Sequence, residues 1–199
     1  MKMKRIKKNR TFFLATVVRM IKKRIYWLLG LIAVVIILFS LVRPISNQIH
    51  AANFCDSVTQ IPQAECQALV ALYQSTNGPS WYVRDGWLTT TTPCSWSRIF
   101  CNAGHVYYIN LTANNLEGTL PAELGNLSGI RYLYLGYNKL QGSIPPELGN
   151  LTQLLHLVVY NNQLSGSIPP ELGNLSSLIN FFAYSNQLSG SMPPELGNL

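Results

Sequence analysis

The second half of the chain repeats itself every 24 residues, and this periodicity constrains the fold more than any other feature. An asparagine, a glycine, a proline and a glutamate recur in the same register in four successive units. They are Asn114, Asn138, Asn162 and Asn186; Gly118, Gly142, Gly166 and Gly190; Pro121, Pro145, Pro169 and Pro193; and Glu123, Glu147, Glu171 and Glu195. Such a period is typical of a solenoid, in which each unit buries its apolar side against its neighbours. We predict stacked units at 106–129, 130–153, 154–177 and 178–199, the last of them incomplete.

Each unit opens with alternating apolar and polar residues, which predicts a short strand with one buried face. In the second unit Leu133 and Leu135 alternate with Tyr132 and Tyr134. The repeated asparagine offers two donors and an acceptor to backbone groups that no strand partner satisfies, so stacked units predict an asparagine ladder. The glycine and proline that follow favour a turn and prevent a long helix on the outer side.

The unit reads approximately L-x-x-L-x-L-x-x-N-x-L-x-G-x-I-P-x-E-L-G-N-L and resembles the plant-type leucine-rich repeat. Similar arrays occur in exported bacterial proteins. Leu120 and Met192 depart from the pattern at the isoleucine position and conserve its volume. The resemblance implies an α/β repeat solenoid. It would be a right-handed superhelix with a parallel concave sheet, convex 3₁₀ or irregular segments, and a helical N-terminal cap that carries disulfides.

Positive charge is concentrated in a leader rather than in the predicted solenoid. The chain carries +7, and residues 1–24 hold ten of its 15 Lys and Arg and no acid. From Asn53 onward four basic residues stand against eight acidic ones, a net charge of −4. A nucleic-acid-binding surface needs basic charge on the folded part, so we expect no nucleic-acid partner.

An apolar stretch at residues 25–42 follows this basic leader. As a helix it would be about 27 Å long, enough to cross the core of a bilayer. The preceding basic residues predict a cytoplasmic N-terminus and export of the remainder. The stretch is either an uncleaved membrane anchor or part of a signal peptide removed near Ala51 or Ala52. Residues 43–54 would be a linker, and the protein would be membrane-anchored with its C-terminal part outside, or secreted.

All four cysteines lie beyond the apolar stretch: Cys55, Cys66, Cys94 and Cys101. An even number in an oxidising compartment predicts two disulfides, for which three pairings exist. The intervening gaps of ten and six residues do not match the C-x-x-C spacing of a zinc site. We expect neither a metal nor a cofactor.

Residues 55–105 are predicted to cap the apolar end of the solenoid. The segment from Pro62 to Ser75 has the apolar spacing of a helix. Three tryptophans follow within 16 residues, and we favour their packing under the first repeat over a carbohydrate-binding aromatic box. The region also resembles the N-terminal cap of leucine-rich-repeat proteins, in which a C-x6-C pair encloses a tryptophan. Cys94, Trp96 and Cys101 match this feature, so the resemblance implies a Cys94–Cys101 bond and leaves Cys55–Cys66 as the second.

In a fold of this kind the exposed strand residues line the concave face, where ligands normally bind. The register places the candidate contact residues there: Tyr108, Asn110, Tyr132, Tyr134, Tyr137, His156, Val158, Tyr160, Asn180, Phe182 and Tyr184. Aromatic side chains dominate this set, and such residues dominate interface energetics. The set has no charged residue, which argues against a strongly ionic partner. The alternative is that tyrosine suits strands and packs laterally between repeats.

Two functions fit these patterns. The first is an exported recognition module that binds an extracellular protein, peptide or glycan on its concave face. The second is a structural or adhesive surface protein, or the N-terminal part of a longer receptor-like protein. The incomplete last unit leads us to expect a fragment or truncated product of a longer protein, or alternatively self-association of two copies through an uncapped C-terminal end. No catalytic motif surrounds the histidines, so we expect no enzymatic activity.

Overall fold

A computed structural model describes residues 54–198 of the chain. The basic leader at 1–24, the apolar stretch at 25–42 and the cleavage position near Ala51 and Ala52 lie outside the described residues. Between residues 54 and 198, no helix combines the length and apolar character that crossing a bilayer requires.

The cap contains the α-helix α1 (Gln63–Ser75), which starts directly after Pro62. The backbone dihedral φ of Pro62 is −57°, a value that its ring fixes and that leads readily into a helix. Leu69 and Val70 are buried on the inner face of α1, where the apolar spacing placed them. Two short 3₁₀ segments, Gly78–Ser80 and Pro93–Ser95, follow before the first strand.

The three tryptophans fill the core of this cap. Trp81, Trp87 and Trp96 are each only 1% exposed, and Trp87 lies between the other two at centroid distances of 4.8 and 5.0 Å. Each indole N–H donates a hydrogen bond to a backbone carbonyl, those of Thr76, Ser97 and Thr90 respectively. Because both the rings and their polar atoms are satisfied inside the cap, these tryptophans provide no open platform for a carbohydrate.

The chain from Ile99 to Leu188 forms two sheets. The strands of the first are β1 (Ile99–Asn102), β2 (His105–Asn110), β4 (Tyr132–Tyr134), β6 (His156–Val158) and β8 (Asn180–Phe182). Those of the second are β3 (Glu117–Thr119), β5 (Lys139–Gly142), β7 (Gln163–Gly166) and β9 (Gln187–Leu188). Each repeat contributes one strand to each sheet.

The first sheet has the order β1-β2-β4-β6-β8 and forms the concave face. Strand β1 belongs to the cap and runs antiparallel to β2, whereas the later neighbours are parallel. The parallel register aligns Tyr108, Tyr132, His156 and Asn180 side by side. Equivalent positions of successive repeats therefore form rows across the sheet.

The second sheet has the order β3-β5-β7-β9, and the sequence did not predict it. These strands lie where the glycine and proline predicted only a turn. They form because each backbone bonds to the neighbouring repeat, as when the N–H of Lys139 donates to the carbonyl of Leu116 at 2.8 Å. The apolar–polar alternation is too short here to reveal a strand within a single unit.

The outer side consists of short 3₁₀ segments, as expected from the proline in each repeat. They are Ala122–Asn126, Pro146–Asn150, Pro170–Asn174 and Pro194–Asn198. The core lies between these segments and the sheets, and its fully buried leucines include Leu116, Leu140 and Leu164. Each such leucine contributes about 1.5–3 kcal/mol to folding.

The repeated asparagines form a ladder of hydrogen bonds to the backbone. The side-chain oxygen of Asn138 accepts from the N–H groups of Asn114 and Leu116, both at 3.0 Å. Its side-chain nitrogen donates to the carbonyl of Leu135 at 2.9 Å. In the following repeats the oxygens of Asn162 and Asn186 each accept from one leucine N–H, and their nitrogens donate to a carbonyl of their own repeat as that of Asn138 does.

The first position of the ladder bonds to the cap instead. The side chain of Asn114, which is fully buried, accepts from the N–H of Val83 at 2.7 Å and donates to the carbonyl of Val83 at 3.0 Å. The asparagine-to-backbone hydrogen bonds that join the repeats therefore also hold the cap on the first repeat.

Candidate binding surface on the concave sheet

Two disulfides make the cap a rigid support for this surface. Cys55–Cys66 joins the chain before α1 to the helix, and Cys94–Cys101 joins the second 3₁₀ segment to β1. The paired Cα atoms are 5.7 Å and 5.3 Å apart, within the usual range for disulfides. In the chain-entropy model the small loop that Cys94–Cys101 closes contributes about 2–3 kcal/mol.

The structure places all eleven candidate residues on the strands of the concave sheet or directly after them. Seven of them fall into two groups of rings. The aromatic cluster consists of Tyr108, Tyr132, Tyr134 and His156, and the tyrosine row consists of Tyr137, Tyr160 and Tyr184. Phe182 lies beside the tyrosine row, 6.4 Å from Tyr184 between ring centroids.

The aromatic cluster spans three strands. The ring of Tyr132 lies 5.9 Å from that of Tyr108 and 5.2 Å from that of His156. Tyr134 lies 5.6 Å from Tyr108, in an edge-to-face arrangement. These distances are typical of favourable aromatic pairs, so the rings hold one another in place before any ligand binds.

The tyrosine row runs along the other edge of the concave face, where the strands end. Tyr160 and Tyr184 occupy equivalent positions of two repeats and stack with centroids 4.7 Å apart and planes inclined by 12°. The preceding repeat has Gly136 at this position, and a Cβ there would lie 3.2 Å from the Tyr160 ring. The ring of the next residue, Tyr137, packs against Tyr160 instead, at 5.1 Å.

Tyr137 adopts a left-handed backbone conformation, with φ of 55°. This conformation costs a side-chain-bearing residue about 1–2 kcal/mol. The hydrogen bond that the N–H of Tyr137 donates to the carbonyl of Tyr160 at 3.1 Å helps to hold it. The equivalent residues of the other repeats, Ala113, Asn161 and Ser185, adopt the same conformation, so it belongs to the turn of the repeat and sets where the Tyr137 ring lies.

Exposure differs within the candidate set. Tyr137 and Tyr184 are 57% and 60% exposed and Phe182 is 43% exposed, whereas the aromatic cluster is half-buried. Val158 departs from the expectation of an exposed contact residue, because only 6% of it is accessible. Its register neighbours on the sheet are Tyr134 and Phe182, whose larger side chains flank the isopropyl group.

Two asparagines of the candidate set are committed to neighbours on the face. The side chain of Asn110 donates to the hydroxyl of Tyr108 at 3.0 Å and accepts from the N–H of Thr112 at 3.1 Å. The side chain of Asn180 lies 3.3 Å from Nδ1 of His156. These contacts orient the rings and leave the surface polar without adding charge.

The hydroxyls of Tyr134 and Tyr160 on this face stay protonated at neutral pH. Burial, followed by the proximity of Tyr108 and Tyr132, raises the pKa of Tyr134 above its ordinary value. Burial, followed by the proximity of Tyr137 and Tyr184, raises the pKa of Tyr160 in the same direction. The hydroxyls can therefore donate and accept hydrogen bonds toward a neutral ligand.

Sequence reasoning missed one buried polar group at the junction of cap and repeats. Glu65 on α1 is fully buried, and its carboxylate receives hydrogen bonds from the hydroxyl of Ser128 at 2.9 Å and the N–H of Val106 at 2.8 Å. It also lies 2.7 Å from Nδ1 of His105. An acid within the apolar helix was the available signal, but its partners are 40 to 63 residues away.

Among residues 54–198, no three His, Cys, Asp or Glu side chains come together as metal ligands would. The concave face itself offers rings, hydroxyls and amides. Its chemistry is that of a contact surface: stacking on aromatic rings combined with hydrogen bonds to neutral groups.

Comparison with known families agrees with this architecture of cap, parallel concave sheet and asparagine ladder. The model described as "Leucine rich repeat N-terminal domain" matches residues 62–102, and the model "Leucine Rich Repeat" matches 105–127, 129–151 and 153–175. These matches define the class as a capped repeat solenoid. The chain belongs to the leucine-rich-repeat family.

Solved structures share the fold. The structure titled PEPR1-AtPEP1 is 29% identical with a TM-score of 0.61, covering 69% of this chain and 20% of that one. The ectodomain of the receptor kinase SOBIR1 from Arabidopsis thaliana is 26% identical with a TM-score of 0.58, covering 69% and 75%. A plant ice-binding protein is 25% identical with a TM-score of 0.64, covering 71% and 46%. The chain thus spans about a fifth of the first structure and less than half of the third.

Proposed function

We propose that the repeats form an exported recognition module that binds an extended peptide segment of an extracellular partner across the aromatic cluster and the tyrosine row. The observation that carries the proposal is the exposed, pre-packed set of rings on the concave sheet. Tyr137, Tyr184 and Phe182 expose 57%, 60% and 43% of their surface, although folding would gain by covering them. Rigid aromatic contacts of this kind supply most of the energy at protein interfaces.

The chemistry of the face supports a peptide as the partner. An extended peptide presents alternating side chains and backbone amides, which match rings that carry hydroxyls, such as those of Tyr134, Tyr160 and Tyr184. The similarity to the SOBIR1 receptor ectodomain and to the PEPR1-AtPEP1 structure supports the same class of function. A folded protein or a glycan would be a different partner of the same surface, and the binding experiment distinguishes these partners from a peptide.

The test uses the full chain in detergent micelles and peptides selected on it from a random library. Replacing Tyr134 and Tyr160 together by alanine should weaken binding of the selected peptides by about 100-fold or more, since each hot-spot ring contributes about 2 kcal/mol or more. Isothermal titration calorimetry gives the affinities. The matched control is Tyr82→Ala, which removes a tyrosine that is 74% exposed on the cap.

Unchanged affinity in the double variant would contradict the proposal, provided that its thermal unfolding shows an intact fold. Equal loss in the Tyr82→Ala control would contradict it as well. Tight binding of an immobilised glycan in place of every peptide pool would keep the face as the site and replace the class of partner.

We also propose that the module acts outside the cell, either anchored by residues 25–42 or released after cleavage near Ala51 or Ala52. The two disulfides of the cap support an oxidising compartment. Intact masses of the native protein from membrane and medium fractions distinguish the routes. A species in the medium that starts near Asn53 supports cleavage, and the uncleaved mass in the membrane fraction supports an anchor.

The second sheet favours a second candidate function, binding to ice. Its exposed side chains form a shallow trough of about 360 Å³ lined by hydroxyls and amides: Thr119, Gln141, Gln163, Ser165 and Gln187. Parallel strands repeat such groups about every 4.7–4.9 Å, and regular rows of this kind can order water. The similarity to a plant ice-binding protein supports this candidate.

Inhibition of ice recrystallisation by the full chain tests this candidate. The variant Gln141→Ala/Gln163→Ala should lose the inhibition, whereas Tyr134→Ala/Tyr160→Ala should retain it. Absence of inhibition by the unaltered chain would eliminate the candidate and leave the concave face as the functional surface.

A further inference from the structure

A pocket of about 200 Å³ lies where the strands of the concave sheet begin, at the junction of the first two repeats. The side chains of His105 and Arg131 line it together with those of Tyr107 and Gln153. Neither Asp nor Glu is among its lining residues.

A hydrogen bond to the buried Glu65 fixes the position of His105 in the pocket. Its Nδ1 lies 2.7 Å from the buried carboxylate of Glu65, and a carboxylate only accepts hydrogen bonds, so Nδ1 carries a hydrogen. The His105 side chain is 43% exposed, whereas that of Glu65 is 1% exposed. A Cβ at Gly129 would come within 2.5 Å of the Cβ of His105, so the glycine leaves the ring its place.

Arg131 brings a positive charge that no acidic side chain of the described residues pairs with. Its guanidinium carbon lies 5.9 Å from the centroid of the Tyr107 ring. The ring of Tyr107 in turn packs 5.5 Å from Tyr132 of the aromatic cluster. The pocket is therefore continuous with the proposed peptide surface.

The repeat pattern does not require either basic residue. The positions equivalent to Arg131 in the other units are Tyr107, Leu155 and Ile179, and those equivalent to His105 are Gly129, Gln153 and Ser177. Repeats conserve what the solenoid needs. The contact of His105 with Glu65 of the cap explains a histidine in the first unit, whereas an arginine that occurs in one unit without a described ion-pair partner points to a role other than folding.

We propose that this pocket binds an acidic side chain of the peptide that lies on the concave face. The fork of guanidinium donors on Arg131 matches the two oxygens of a carboxylate, and the amide nitrogen of Gln153 offers a further donor beside it. The proposal rests on the proposed peptide-binding function and adds to it a preferred residue, Asp or Glu, at the end of the peptide nearest the cap.

The test uses two pools of C-terminally amidated peptides that are random except for one fixed position, Glu in one pool and Gln in the other. The full chain in detergent micelles should retain the Glu pool about tenfold better than the Gln pool, as expected for one charge-assisted contact. Arg131→Gln should remove this preference. Lys139→Gln is the matched control, since it removes one exposed positive charge on the second sheet and should leave the preference intact.

The outcomes distinguish failure of the pocket as a subsite for an acidic side chain from failure of the proposed peptide-binding function. Equal retention of both pools, abolished by Tyr134→Ala/Tyr160→Ala, would overturn the subsite and leave the peptide surface standing. Retention of neither pool would overturn both. Oligogalacturonate, a glycan that also carries carboxylates, serves as a third probe: its preferential retention through Arg131 would overturn the peptide as the source of the carboxylate. Thermal unfolding of each variant verifies that the fold is intact.

Discussion

The cap and the repeats both contain dense groups of aromatic residues, yet they use them in opposite ways. The tryptophans of the cap are each 1% exposed, and every indole N–H is bonded to a backbone carbonyl. The tyrosines of the concave sheet pack at similar centroid distances but leave one side open, up to 60% for Tyr184. Ring-to-ring packing is thus common to both regions, and only the cap adds a covering layer.

This difference in exposure distinguishes aromatic residues that stabilise the fold from those that remain available to a ligand. A ring that is covered on both sides contributes its full transfer energy to folding. A ring that rests on one neighbour contributes about 0.5–1.5 kcal/mol through that pair and keeps a face for a ligand. Removal of rings from the two regions should therefore separate stability from binding.

The largest expected effect is that of Trp87→Ala, at the centre of the cap. Loss of this ring should lower the free energy of unfolding by about 3–5 kcal/mol, because it leaves a cavity between Trp81 and Trp96. Tyr160→Ala should cost only about 1 kcal/mol, the value of its stacking on neighbours. Denaturant unfolding followed by circular dichroism measures both. Equal losses would mean that the concave rings are structural after all.

A second prediction concerns the buried acid that joins cap and repeats. Glu65→Ala should destabilise the protein by about 3 kcal/mol, since it strands the N–H of Val106 and the hydroxyl of Ser128 in a buried site. Glu65→Gln, which keeps one acceptor oxygen, should lie between the alanine variant and the parent. The control is Glu117→Ala on the exposed second sheet, where a change within about 0.5 kcal/mol is expected.

Thermal unfolding of these three variants checks the prediction. A Glu65→Ala protein as stable as the Glu117→Ala control would show that the junction does not depend on the carboxylate.

The smallest effect is a loss of stability at alkaline pH. The pKa values of Tyr134 and Tyr160 are raised in the folded state by burial and then by neighbouring tyrosines, so folding favours the protonated hydroxyls. This contribution is complete below the unfolded-state pKa of 10.0 and disappears as pH rises through the folded-state values. Replacing both residues by phenylalanine should flatten the dependence of the unfolding midpoint on pH in this range. An unchanged profile would assign the alkaline loss to other groups.

Much of this architecture can be predicted from the sequence because each local pattern recurs in four repeats. Alternation at Leu133 and Leu135 predicts the concave strands, and the asparagine that follows predicts the ladder of which Asn138 is a member. The proline of each unit predicts the 3₁₀ segments on the outer side. The tyrosines of the concave face follow from the same register, so their common surface could be foreseen while its ligand could not.

Other features depend on contacts between units and appear only in the tertiary structure. The second sheet exists because the short strands bond to neighbouring repeats, and Val158 is buried because Tyr134 and Phe182 flank it across the sheet. Asn114 bonds to Val83 in the cap, 31 residues away, and Glu65 reaches Ser128 across 63 residues. The periodicity predicts the contacts within each repeat and those between equivalent positions of neighbouring repeats. The junction between cap and repeats, and the pocket lined by His105 and Arg131 beside it, form where the first repeat packs against the cap instead of another repeat. The repeat pattern therefore does not predict them.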